Sequence, residues 1–158
     1  MKEKLTIIGA GLSGLYTAYL LQDKYEITIL EARQRIGGRI LSISGVDLGP
    51  SWIWNHNKNI LKLMEDLKLE LIEQYINAYA LYDQINGVEK FKAPESAPSF
   101  RVDGGMQKII EKLKEKLNSN VSIKLEEVVE KIEYKNQEVY IYTNKEKYTS
   151  SKLVFTIP

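Results

Sequence analysis

Gly9-x-Gly11-x-x-Gly14 constrains this chain more than any other stretch of it. Ahead of it, "LTIIGA" is a short apolar run rich in β-branched residues, which suits a fully buried parallel strand. After it, "LSGLYTAYLLQDKY" places Leu12, Leu15, Ala18 or Tyr19, and Leu21 or Gln22 at helical spacing. "EITIL" gives a second buried strand, closed by Glu31. Strand, tight glycine turn, helix, strand is a βαβ unit, and such crossovers are almost always right-handed.

In that setting each glycine has a steric task in a dinucleotide site. Gly9 permits the tight turn, Gly11 lets a pyrophosphate approach the backbone, and Gly14 lets the helix lie close on the sheet. The helix N-terminus offers unpaired N–H groups and partial positive charge, to which Ser13 adds a hydroxyl. Glu31 closes the second strand, near the ~20-residue spacing at which an acid meets an adenosine ribose. A carboxylate there accepts both ribose hydroxyls and repels a 2′-phosphate, so NADP is disfavoured. The glycines alone are a weak signal. Their placement between strand and helix, with the acid after the next strand, carries the inference.

The remaining composition mainly excludes. With 22 basic and 21 acidic residues, the charge balance gives no case for nucleic acid or an anionic membrane as partner. Cysteine is absent and His56 is the only histidine, which excludes thiolate chemistry and argues against a zinc site or a Ser-His-Asp triad. No stretch approaches the ~20 apolar residues of a membrane span, and a soluble, cytoplasmic protein is expected. The 158 residues suffice for one domain with a hydrophobic core but not for two large ones.

Downstream, "HNKNILKLMEDLKLE" reads as an amphipathic helix with Ile60, Leu61, Met64 and Leu67 inward. "AYALYDQINGVEKFK" alternates on both sides of Asn86-Gly87, a hairpin signal. "APESAPS" reads as a connector, and "GGMQKIIEKLKEKL" as a helix with Met106, Ile109, Ile110, Leu113 and Leu117 inward. The tail from Val121 is strand-rich, with turns expected at Asn136-Gln137 and Asn144-Lys145.

The stretch after the acid, "EARQRIGGRI", resembles the flavin-containing amine oxidase family: Glu31, Ala32, Arg33, then Gly37, Gly38 and Arg39. A second glycine turn lets the backbone pass under an extended cofactor, and Arg39 neutralises pyrophosphate charge. "DLGPSWIW" is similar to the family's Asp-x-Gly-x-x-Trp loop, which implies that Pro50, Ser51 and Trp52 line the flavin side; Trp54 is read equally well as core. "DGGMQ" resembles the Gly-Gly-Met segment, and "VFTIP" the closing Ile-Pro strand. Val129 matches the position whose backbone meets adenine; a plain β-core valine is the competing reading for its side chain. Leu12 enters through the glycine loop.

The resemblance implies FAD as cofactor and an α/β fold: a Rossmann-like FAD-binding domain with a βαβ unit, a β-meander and a small β-hairpin insertion. Residues 1–75 and 103–158 are expected to form the FAD-binding domain, and 76–102 a hairpin and connector from the substrate side of a truncated substrate domain. It also implies an amine as substrate of the intact enzyme, with oxygen as acceptor. The family pattern continues past Pro158, so the chain is expected to be incomplete, to contain no catalytic or metal-binding residue, and to rely on a complementing C-terminal chain or on self-association. Phytoene desaturase-like, protoporphyrinogen oxidase-like and UDP-galactopyranose mutase-like flavoproteins share the glycine and Gly-Gly-Arg motifs. A non-enzymatic binding module is a third reading.

Overall fold

The computed structural model describes residues 2–74, 79–92 and 98–157. The first strand, β1 (Glu3–Ile8), runs into the glycine turn; α1 (Leu12–Leu21) follows, then β2 (Tyr25–Glu31). β1 and β2 pair in parallel, with Ile7 opposite Ile29, which makes the expected βαβ unit.

Short elements follow: β3 (Ser42–Ile43), β4 (Val46–Asp47), β5 (Ile53–Trp54), α2 (Lys58–Leu67) and β6 (Leu71–Glu73). A hairpin of β7 (Tyr79–Gln84) and β8 (Gly87–Lys92) comes next, and then β9 (Ser99–Val102) and α3 (Gln107–Lys116). The chain closes with β10 (Val121–Leu125), β11 (Val129–Lys135), β12 (Glu138–Thr143), β13 (Lys147–Ser150) and β14 (Lys152–Phe155).

The main sheet has the order β10-β2-β1-β14, all parallel. Its alternating side chains feed two layers. Leu5, Ile7, Ile27 and Ile29 join a core completed by Leu15 and Ala18 of α1 and by Ile109, Ile110 and Leu113 of α3. Leu30 belongs instead to a smaller cluster with Val139 and Ile141 of the antiparallel β11-β12-β13 meander. The result is helices, parallel sheet and meander in layers, the arrangement of a Rossmann-like domain. Gln22 is buried although it is polar, because it is satisfied at the end of α3: its side-chain amide donates to Lys116 O at 3.3 Å and its Oε1 accepts from Asn118 N at 2.7 Å.

The meander turns follow the sequence. Asn136 and Gln137 adopt φ of 51° and 65°, the pair of positive values a two-residue hairpin turn needs. At the earlier hairpin Gln84 faces Gly87, so Ile85 and Asn86 make the turn and Gly87 follows it. Almost every side chain of that hairpin is exposed. Most of "APESAPS", residues 93–97, and position 158 lie outside the described residues.

One difference from the sequence reading has a physical cause. In α2 the buried residues are Leu63, Met64 and Leu67, with Ile60 and Leu61 half-buried. Leu63 also belongs to the apolar stripe and takes the central place in it, whereas Ile60 borders an open cleft. β9 falls within 76–102. It pairs antiparallel with both β5 and β6, and so is stitched to the segment before the hairpin.

Candidate cofactor cleft

A cleft of about 1050 Å³ opens at the C-terminal ends of β1 and β2, where open α/β sheets bind ligands. Backbone contacts give its order along the molecule. Glu127 N donates to Glu31 O at one end, Gly37 N donates to Ala10 O at 2.8 Å beside it, and Gly11 pairs with Gly37 in the middle. Gly49 then packs on the Arg39 carbonyl, and Leu48, Pro50, Trp52, Ile60 and Met106 form the far end.

The first glycine loop divides its tasks. A Cβ on Gly14 would lie 2.0 Å from Gly9 O, so only glycine lets α1 seat against the loop. Gly14 therefore packs the fold and does not line the cleft. A Cβ on Gly11 would meet nothing nearer than Gly38 Cα at 3.9 Å; the space above it is open to a ligand. The N-cap, Gly11, has no side-chain hydrogen bond and the first turn of α1 has no acid. The leading N–H groups thus remain available, with the favourable end of the helix dipole, for an anion. Thr156, just past β14, closes the loop from behind, its hydroxyl donating between Ile8 O at 2.9 Å and Gly9 O at 3.0 Å.

Glu31 is buried, and its carboxylate is already used. Oε2 accepts from Ala10 N at 2.8 Å and Oε1 from Arg33 N at 3.0 Å. A carboxylate has about four acceptor sites, so two remain for ribose hydroxyls. The acid holds both the strand end and the turn opposite it while still facing the cleft.

The second glycine turn is held from within. The Arg35 guanidinium donates to Ile36 O, Gly38 O and Ile40 O at 2.8–3.2 Å. These bonds engage three carbonyls of the turn with a positive charge. Arg39 is exposed and lines the cleft beside Gly38, so its charge is available to an anion at the start of α1.

Of the residues singled out from the sequence, Gly9, Gly11, Leu12, Ser13, Glu31, Ala32, Arg33, Gly37, Gly38, Arg39, Pro50, Trp52 and Val129 border this one cleft. Gly14 and Ser51 do not; the Ser51 hydroxyl turns to Gly49 O at 3.4 Å. Trp54 also lies off the cleft, edge-to-face with Trp52 at 6.0 Å and stacked on His56. Sequence reasoning missed Arg35, Thr156 and Glu127. Glu127 is buried beside Glu31, with Thr143 donating to its Oε2. The phenol of Tyr148, near Glu127, is held well above the usual range by burial and by its bond to Glu146 at 2.7 Å.

The donor set fits FAD. It offers a carboxylate for a ribose, an uncapped helix start and an arginine for the phosphates, and an apolar far end for a fused ring. A family model described as an NAD(P)-binding Rossmann-like domain matches residues 7–67. Over 75 residues the chain is 39% identical to amine oxidase [flavin-containing] B of Mus musculus, covering 44% of this chain and 14% of that protein. This chain carries an amine oxidase-like FAD-binding region. Over 79 residues it is 34% identical to amine oxidase [flavin-containing] A of Canis lupus familiaris, covering 46% of this chain and 15% of that protein.

The likeness of fold extends over the whole chain. A redesigned putrescine oxidase superposes with a TM-score of 0.83 at 15% identity, over 100% of this chain and 58% of that one. Cyclohexylamine oxidase from Brevibacterium oxydans gives 0.86 at 14% identity, over 99% and 58%. The matched stretch is thus a small part of the curated relatives' length. Among the described residues no helix is long and apolar enough to cross a membrane.

Proposed function

We propose that this chain is the FAD-binding portion of an amine oxidase-like flavoprotein, serving oxidation of an amine with oxygen as acceptor. The observation that carries the reading is the single cleft joining Glu31, the open α1 terminus, Arg39 and the apolar end at Trp52 and Met106. When bound, the flavin supplies the two-electron acceptor for a substrate C–H bond. This chain's residues do the holding: Glu31 accepts from the ribose, Gly11 leaves room for the pyrophosphate, and Arg39 balances its charge. Leu48, Pro50 and Trp52 keep water from one side of the ring.

The proposed organisation keeps residues 1–75 and 103–158 as the cofactor domain and residues 76–102, which contain the β7–β8 hairpin, as an insertion. A cytoplasmic setting, and a complementing chain or second copy supplying the substrate side, belong to the same reading and rest on the sequence argument. Calorimetric titration of the purified chain with ADP, FAD and NADPH tests it. ADP and FAD should bind and NADPH should bind far more weakly. Absence of binding by both ADP and FAD would overturn the reading.

A further inference from the structure

We propose that Asp47, which does not touch the cleft, is the residue that positions the cleft's far wall and so sets affinity for the half of FAD beyond the phosphates. The proposal rests on the FAD-binding reading. Asp47 lies at the end of β4 with its side chain 1% exposed, in a place where an unpartnered carboxylate is costly. It is held by three other elements. Ser42 of β3 donates its hydroxyl to Oδ1. Met106 N, at the start of α3, donates to the same oxygen at 2.8 Å. Arg101 of β9 stands 3.7 Å from Oδ2, too far for a hydrogen bond, and Oδ2 has no other partner among the described residues. Ser42 Oγ in turn accepts from Gln107 N at 3.0 Å.

The carboxylate thus occupies the N-terminus of α3, where its charge is favourable, and fills an anion site next to the cleft with the chain's own acid. Phosphate is thereby directed to α1, whose start carries no acid. The same bonds fix one end of the loop over residues 48–52. The other end is fixed by β5 pairing with β9, Ile53 opposite Phe100. Between these anchors Leu48 N donates to Leu41 O at 2.8 Å, and Gly49 packs where a Cβ would lie 2.1 Å from Arg39 O. Leu48, Pro50 and Trp52 hang from this frame into the cleft, and Met106 reaches it from the α3 side. Glu31 and Gly11 are held by other contacts altogether.

Asp47 therefore controls the wall that only a ligand longer than ADP reaches. The test is titration of the wild-type chain, Asp47→Asn and Asp47→Ala with FAD and with ADP, with thermal melts and the absorption band of bound flavin as added readouts. Asp47→Ala should weaken FAD by about tenfold or more and leave ADP within about twofold, the loss expected from one charge-assisted network. Asp47→Asn keeps the Oδ1 acceptor and should fall between. The vibronic structure of the bound-flavin band should be less resolved in Asp47→Ala as water reaches the ring. Equal losses for FAD and ADP, no loss for either, or failure of both variants to fold would overturn the proposal, since Asp47 would then hold the whole domain or nothing at the wall. If the wild type binds neither ligand, the FAD reading itself fails, a result distinct from these.

Discussion

Gly11 and Gly14 differ by three positions and do opposite work, one kept bare for a ligand and the other for the backbone behind it. Gly11→Ala should melt like the wild type, because its Cβ finds open space, yet bind ADP and FAD far more weakly. Gly14→Ala should lose about 1–3 kcal/mol or more of stability through overpacking against Gly9 O. Paired melts and titrations separate the two; equal melting points would contradict the assignment. Glu31 combines both roles. Glu31→Gln should cost about 1–3 kcal/mol of ADP affinity by calorimetry, and its melt should also fall, since one of the N–H groups of Ala10 and Arg33 would face an amide donor. A neutral effect on ADP would return Glu31 to a purely structural part.

Among elements, the meander carries a pH dependence of its own. Tyr148 sits between Glu127 and Glu146, and its folded pKa is raised, first by burial and then by its bonds to these acids. A raised pKa favours the neutral phenol in the folded state. Its stabilisation is complete below about pH 10, the ordinary tyrosine value, and is lost as pH rises toward the folded pKa. Above about pH 10, melting temperatures should fall more steeply with pH for the wild type than for Tyr148→Phe; parallel curves would refute this. The long elements were legible because their residues repeat: the 3.6-residue stripe of α3 and the turn pairs at Asn136 and Asn144 announce themselves locally. The two-residue strands β3, β4 and β5 were not, for they are too short to show a period. Arg35 was overlooked beside the more familiar Arg39, since its partners are carbonyls, which a sequence does not display. Asp47 appeared in its motif, but its partner at Met106 lies 59 residues away, and only the fold shows that these two motifs meet.

For the whole molecule, the far end of the cleft bounds what the chain does unaided. From Leu48 to Ile60 its lining is apolar apart from backbone and Asn57, with no acid, base or nucleophile to aim at a substrate. The 158-residue chain supplied with FAD should therefore release no peroxide above a flavin blank from primary amines, polyamines or amino acids; robust release would mean that anchoring alone suffices. The sheet order has another consequence, in time. The glycine turn leaves the ribosome among the first residues of this chain, but the hydroxyl that seals it, on Thr156, is bonded across 148 positions. Until β14 has been synthesised, β1 has a bare edge and the turn has no back wall. A nascent chain therefore has its cofactor motif exposed well before it can use it, and an unpaired parallel strand is the kind of surface a chaperone guards.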